Sequence, residues 1–164
     1  MIDTLTVLTY LLTHDAGHTK QLTLHALFSE KQSSTALVQP AKSPQLNWKG
    51  VPPEASSLVL IVKDAQPAKN TGKSNYYWVA YNLPVSVKGL PFDGSRDINF
   101  KNQIQQYHSP WASKNPPASI AIELYALDKR FSVTEKMTGE SLEAKIKSHV
   151  IAKGVIIDHS LEKV

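Results

Sequence analysis

Several short segments of alternating apolar and polar residues, a single late stretch with helical spacing, and turn-forming residues between them predict a mainly β, antiparallel architecture with one helix towards the C-terminus. Residues 4–12 and 21–27 are rich in leucine and β-branched residues and read as strands. Between them, His14-Asp15-Ala16-Gly17-His18 reads as a turn, because Asp and Gly supply the backbone angles a turn needs. Residues 29–46, polar and carrying Pro40 and Pro44, are expected to be loop.

Residues 57–62 form an almost continuous apolar run of strand length, as in a strand buried on both faces. Residues 69–75 are turn-like, and 77–83 give another strand, closed by Pro84, which cannot donate to a ladder. Residues 85–117 show no sustained period, and loops of that length within a compact domain are often functional. Over 119–127 alternation returns, with Ile120, Ile122 and Leu124 on one face and Ser119, Glu123 and Tyr125 on the other. Leu142, Ile146 and Val150 recur every four residues and predict a helix over 141–153, with Thr138 or Ser141 at its start and Gly154 at its stop. A last short strand is expected over 155–157.

Composition narrows the function. The 164 residues fit one domain, taken as 1–164, and 41% hydrophobic with 20% charged residues is an ordinary globular balance. There is no cysteine, which excludes disulfides, thiolate metal sites and a cysteine nucleophile. The net charge of +4 comes from lysines and arginines scattered along the chain without interleaved aromatics, so a solvated basic surface is expected and no nucleic-acid partner. No apolar stretch approaches the ~20 residues that span a bilayer, and the start lacks the charge and cleavage pattern of a secretory leader, so the sequence reads as cytoplasmic without an integral membrane segment.

Four blocks carry a resemblance. Ser43-Pro44-Gln45-Leu46-Asn47-Trp48-Lys49-Gly50-Val51-Pro52 leads into the buried run, Trp78-Val79-Ala80-Tyr81-Asn82-Leu83-Pro84 follows, then Leu124-Tyr125-Ala126-Leu127-Asp128, and last Ser148-His149-Val150-Ile151-Ala152. In order and spacing this resembles the phosphatidylethanolamine-binding proteins, of the bacterial Raf-kinase-inhibitor-like type. Residues 1–20 fall outside it. The resemblance implies two packed antiparallel sheets, one helix near the C-terminus, short peripheral helices, and a small cavity at loop ends that accepts phosphate-like groups. It also carries the expectation of a homodimer, since bacterial relatives often pair.

The pocket positions, taken one at a time, are largely rewritten. The family's Asp-Pro-Asp-x-Pro turn reads Asp64-Ala65-Gln66-Pro67-Ala68, which keeps the first aspartate only. The histidine before the Trp-Val strand is Tyr77. The tyrosine and Gly-Pro-x-Pro stretch reads Tyr107-His108-Ser109-Pro110-Trp111-Ala112. The Gly-x-His-x-Tyr pattern falls on Pro116, Ala118 and Ile120. Two histidines and a tyrosine are therefore missing. Hydrogen bonds to charged groups contribute ~1.5–3 kcal/mol each, so losing two costs roughly 3–6 kcal/mol of phosphate affinity, about a hundredfold to ten-thousandfold. The candidate pocket set is Asp64, Tyr77, Tyr107, His108, Pro110, Trp111, Ala118 and Ile120, expected as a more apolar, relined cleft. His108 is either a substitute donor or an exposed loop residue, and Trp111 either a plug or a stacking surface.

Elsewhere the chemistry is thin. His14 and His18 have metal-ligand spacing only if helical, which Gly17 opposes. His25 and His159 read as structural, His149 as making a local hydrogen bond. No nucleophile elbow or phosphate-cradling glycine loop occurs. Glu123 and Asp128 are expected to face different ways, which makes them poor acid–base partners. The expectation is therefore a non-catalytic binding or regulatory protein, without cofactor, acting through an unidentified protein partner. Its alternatives are a small anionic or apolar ligand in the relined pocket and, more weakly, protease inhibition.

Overall fold

The computed structural model describes residues 19–28, 43–112, 117–132 and 135–159. The strand expected over 4–12, the turn over 14–18 with His14 and His18, and Pro116 lie outside these residues. Among the described residues nine strands run in chain order: β1 Lys20–Gln21, β2 Thr23–Leu27, β3 Gln45–Lys49, β4 Ser57–Asp64, β5 Tyr76–Leu83, β6 Gly89–Leu90, β7 Ile104–Tyr107, β8 Ile120–Leu127 and β9 Val150–Asp158. One α-helix, α1 Gly139–Ile146, precedes β9, and short 3-10 turns occupy Gly94–Arg96, Ile98–Phe100 and Pro110–Ala112.

A six-stranded sheet has the order β1-β9-β8-β4-β5-β7, and a three-stranded sheet the order β2-β3-β6. All pairings are antiparallel except the two-residue β1–β9 pair, which is parallel. The mainly β, two-sheet fold is thus as the sequence predicts. Alternation explains the layers. Leu58, Leu60 and Val62 of β4, Trp78 and Ala80 of β5, and Ile120, Ile122 and Leu124 of β8 point inwards against Leu24, Ala26, Leu46 and Trp48 of the smaller sheet. The opposite face of the large sheet presents Val59, Ile61, Val79 and Leu127 to Leu142 and Ile146 of α1, with Phe131 and Met137. β4 and β8 are covered on both sides, which is why their sequences are nearly all apolar.

Four expectations need correction. The helix ends at Ile146 rather than at 153, and Val150 and Lys153 belong to β9. Leu142 and Ile146 keep the four-residue spacing, but the chain turns at His149, whose N–H reaches the Ile146 carbonyl at 2.8 Å. From there Val150 onwards pairs along the whole of β8, and a full ladder beside a buried strand outweighs one more helical turn. The start is as expected, with Thr138 Oγ1 accepting from the Ser141 N–H.

Gly154 is therefore not a helix stop but a mid-strand residue. A Cβ there would lie 2.9 Å from the Leu22 carbonyl oxygen, where the chain crosses from the large sheet into the small one. Residues 45–46, expected as loop, open β3, in which Leu46 and Trp48 are buried and Asn47 and Lys49 exposed. The aperiodic stretch 85–117 contains β6, β7 and the 3-10 turns. It is fastened to Ser43, whose carbonyl accepts from the Asp93 N–H and whose Oγ accepts from the Ser95 N–H.

The Asn82 motif position has a clear physical reason. Its φ of 56° is left-handed, and its side chain bonds both polar groups of the Phe131 backbone, donating at 2.8 Å and accepting at 2.9 Å. Asn tolerates that backbone region and carries both a donor and an acceptor.

Candidate functional site

The site is set by a β-bulge. Val62 pairs with Trp78 and Lys63 with Tyr76, which leaves Tyr77 as an extra residue in β5. The bulge thereby puts Tyr77 on the same inner face as Trp78 and sends Tyr76 to the outer one. Tyr76 packs on the helix side, while Tyr77 is buried among the inner core residues.

From there the Tyr77 hydroxyl donates to Asp64 Oδ1 at 2.6 Å. The other carboxylate oxygen accepts from the Asn75 N–H at 2.9 Å and from its side-chain amide at 3.0 Å. Asp64 is only 7% exposed, and burying a carboxylate without partners would be costly; here three donors surround it. Burial first, then the hydrogen bond to Asp64 and its charge, raises the Tyr77 phenol far above its ordinary range, so it stays a proton donor.

The same row continues across the sheet. Asp64 pairs with Ile120, and Ile120 with Asp158, so the three side chains share the inner face. Asp158 Oδ2 accepts from the Trp111 indole N–H at 3.0 Å. Two carboxylates thus flank a fully buried Ile120, about 10 Å apart by strand spacing, each engaged by an aromatic donor. Trp111 also meets Phe28 edge-on at 5.5 Å.

The remaining sequence-predicted residues fall around this row. His108 is exposed; its backbone N–H bonds the Tyr77 carbonyl at 2.8 Å, and its ring lies edge-on to Tyr77 at 5.1 Å. Tyr107 sits edge-on to Trp78 at 5.6 Å. The buried hydroxyls of Tyr107, Ser95 and Ser109 lie together; burial raises the Tyr107 phenol, and the two serine hydroxyls beside it act in the opposite direction. Pro110 is buried, and Ala118 is exposed on the bend before β8.

Sequence reasoning missed Asn75 and Asp158. Asn75 meets Asp64 across a turn, which only its amide chemistry hints at. Asp158 gains its place from strand register, which carries no local signal. The expected local bond of His149 is made to Asp128 Oδ1 at 2.9 Å, and Glu123 lies on the buried outer face beside Tyr125 while Asp128 is exposed.

On the outer side of the same strand ends opens a cavity of about 670 Å³, lined by Lys63, Lys73, Tyr76, His108, Glu140 and Glu143 among others. Of the sequence-predicted set it contains His108 alone. Among the described residues no group of three His, Asp or Glu side chains is placed to hold a metal ion, and no helix is long and apolar enough to cross a membrane.

Comparison with known proteins agrees with this architecture. A UPF0098 protein of Methanothermobacter thermautotrophicus is 28% identical over 127 residues, covering 70% of this chain and 80% of its own. A UPF0098 protein of Chlamydia trachomatis is 30% identical over 116 residues, covering 67% and 76%. Among solved structures, a phosphatidylethanolamine-binding protein homolog from C. trachomatis matches with a TM-score of 0.58 at 26% identity, covering 86% of this chain and 96% of its own. Escherichia coli YbcL matches in fold with a TM-score of 0.57 at 23% identity, covering 71% and 77%. The sequence profile of the phosphatidylethanolamine-binding proteins spans residues 18–158, and the chain belongs to that family.

Proposed function

We propose that this chain is a non-catalytic binding protein acting through contacts with another protein, its headgroup pocket closed by its own side chains. The observation that carries this reading is the Tyr77 hydroxyl held on Asp64 at 2.6 Å. An anion site aims its donors at the oxygens of the guest. Here two donors at the pocket positions are aimed at protein carboxylates, Tyr77 at Asp64 and Trp111 at Asp158, and the neighbouring Asn75 adds two more bonds to Asp64. A phosphate entering this row would displace those bonds and meet the Asp64 carboxylate without the imidazoles that the family pattern places beside it.

Calorimetric titration of the full chain with phosphate, phosphoethanolamine and a nucleotide tests the reading. It predicts no saturation below about 1 mM, and micromolar binding would overturn it.

A second reading keeps a small ligand in the relined cleft, and the cluster of buried hydroxyls formed by Tyr107, Ser95 and Ser109 favours it. It predicts binding that is weakened by Tyr107→Phe. A Tyr107→Phe variant with unchanged titration behaviour removes it.

A further inference from the structure

The cavity of about 670 Å³ lies on the opposite face of the sheet from the Asp64 row, because Lys63 and Tyr76 point outwards where Asp64 and Tyr77 point inwards. Its floor is internally neutralised. Glu143 takes the Lys63 ammonium on one oxygen and the Tyr76 hydroxyl on the other; Lys63 also lies 3.6 Å from Glu123, which Lys153 approaches at 3.9 Å on its other oxygen. The floor therefore has a fixed shape and balanced charge. Gly139 keeps the helix against it, since a Cβ at that position would run into the Tyr76 ring.

The walls differ from the floor. Lys73 enters from the turn between β4 and β5, and Glu140 from the first turn of α1. Both are exposed, and neither forms an ion pair with any described residue. Ser74, Asn75 and Gln106 add polar groups between them. The volume is that of a small-molecule site, but the lining is polar, which disfavours an apolar guest. A solute with one charge finds both a partner and its like in this lining, in Lys73 and Glu140. A solute carrying both charges can satisfy the two side chains at once.

We infer that this cavity binds a zwitterionic small molecule of the amino-acid or short-peptide class, its ammonium at Glu140 and its carboxylate at Lys73. The inference does not require the Asp64 row to be closed, and Asn75 and His108 border both sites.

The test is a ¹⁵N–¹H NMR titration of the full chain with glycine and with triglycine, against sodium acetate and methylamine hydrochloride as singly charged controls. Saturable shifts are expected at the Lys73, Ser74 and Glu140 amides with the zwitterions only. Lys73→Ala and Glu140→Ala, both at exposed positions that leave the core intact, are each expected to weaken binding about two- to fivefold. Tighter binding of triglycine identifies a peptide terminus pair as the ligand, and tighter binding of glycine a free amino acid. The inference is overturned by the absence of saturation up to about 10 mM, by an equal response to either control, or by unchanged binding in both variants.

Discussion

Replacing Tyr77 by phenylalanine removes one oxygen from the inner face and leaves the ring, the bulge and the contact with His108 in place. Asp64 then keeps its two bonds from Asn75 but loses the 2.6 Å donor on Oδ1. Hydrogen bonds to charged groups contribute about 1.5–3 kcal/mol, and Asp64 is too buried for water to replace the donor freely. The variant is therefore expected to lose about 1.5–3 kcal/mol at neutral pH, a fall in Tm of about 3–12 °C for a chain of this size.

Urea unfolding reads this as a lower midpoint with an unchanged slope. A double-mutant cycle with Asp64→Ala isolates the pair and should give a coupling of at least about 1 kcal/mol. If Tyr77→Phe costs less than about 0.5 kcal/mol and adds to Asp64→Ala without coupling, the hydroxyl does not hold the carboxylate, and the closed-pocket argument fails with it.

The same phenol predicts an alkaline limit to stability. Burial and hydrogen bonds to carboxylates raise Tyr77, Tyr76 and Tyr125 above the ordinary value of 10.0, so above pH 10 the unfolded chain releases protons that the folded chain retains. Stability contributed by Tyr77 is complete below pH 10 and declines as pH rises towards its folded value, at about 1.4 kcal/mol per pH unit. Above about pH 10, urea unfolding should show a slope in Tyr77→Phe that is shallower by up to that amount, and an identical slope would count against the burial of this group. Asn82→Ala should cost about 2–4 kcal/mol, because two buried bonds to the Phe131 backbone go and the left-handed backbone is left to alanine. Asn82→Gly should recover the backbone part only, and equal stability of the two variants would show that the conformation contributes nothing.

The sequence was most legible where one physical signal dominated. The buried runs of β4 and β8 and the alternation of β5 announce themselves, and the order of the motif blocks led to the family. The substitution of Tyr77 for the family's histidine was also visible, but not its consequence, because the bulge that turns Tyr77 inwards is a matter of register. Register likewise hid Asp158, which acquires its role only when β9 lies beside β8. The excess helix length came from Val150 continuing a spacing of four by coincidence across a turn. The strands β6 and β7, two and four residues long, are too short to show a period. The floor of the outer cavity joins Lys63 to Glu143, eighty positions apart in the chain, which no local pattern encodes.

The most direct measurement is a ¹⁵N–¹H titration with phosphoethanolamine of the wild type and of a variant in which the lost imidazoles are returned, Tyr77→His with Ala118→His. The account predicts no saturable shift at the Asp64, Tyr77 and Tyr107 amides of the wild type up to about 1 mM, and a saturable one in the variant. Saturation in the wild type at micromolar phosphoethanolamine, with shifts centred on those three residues, would contradict it.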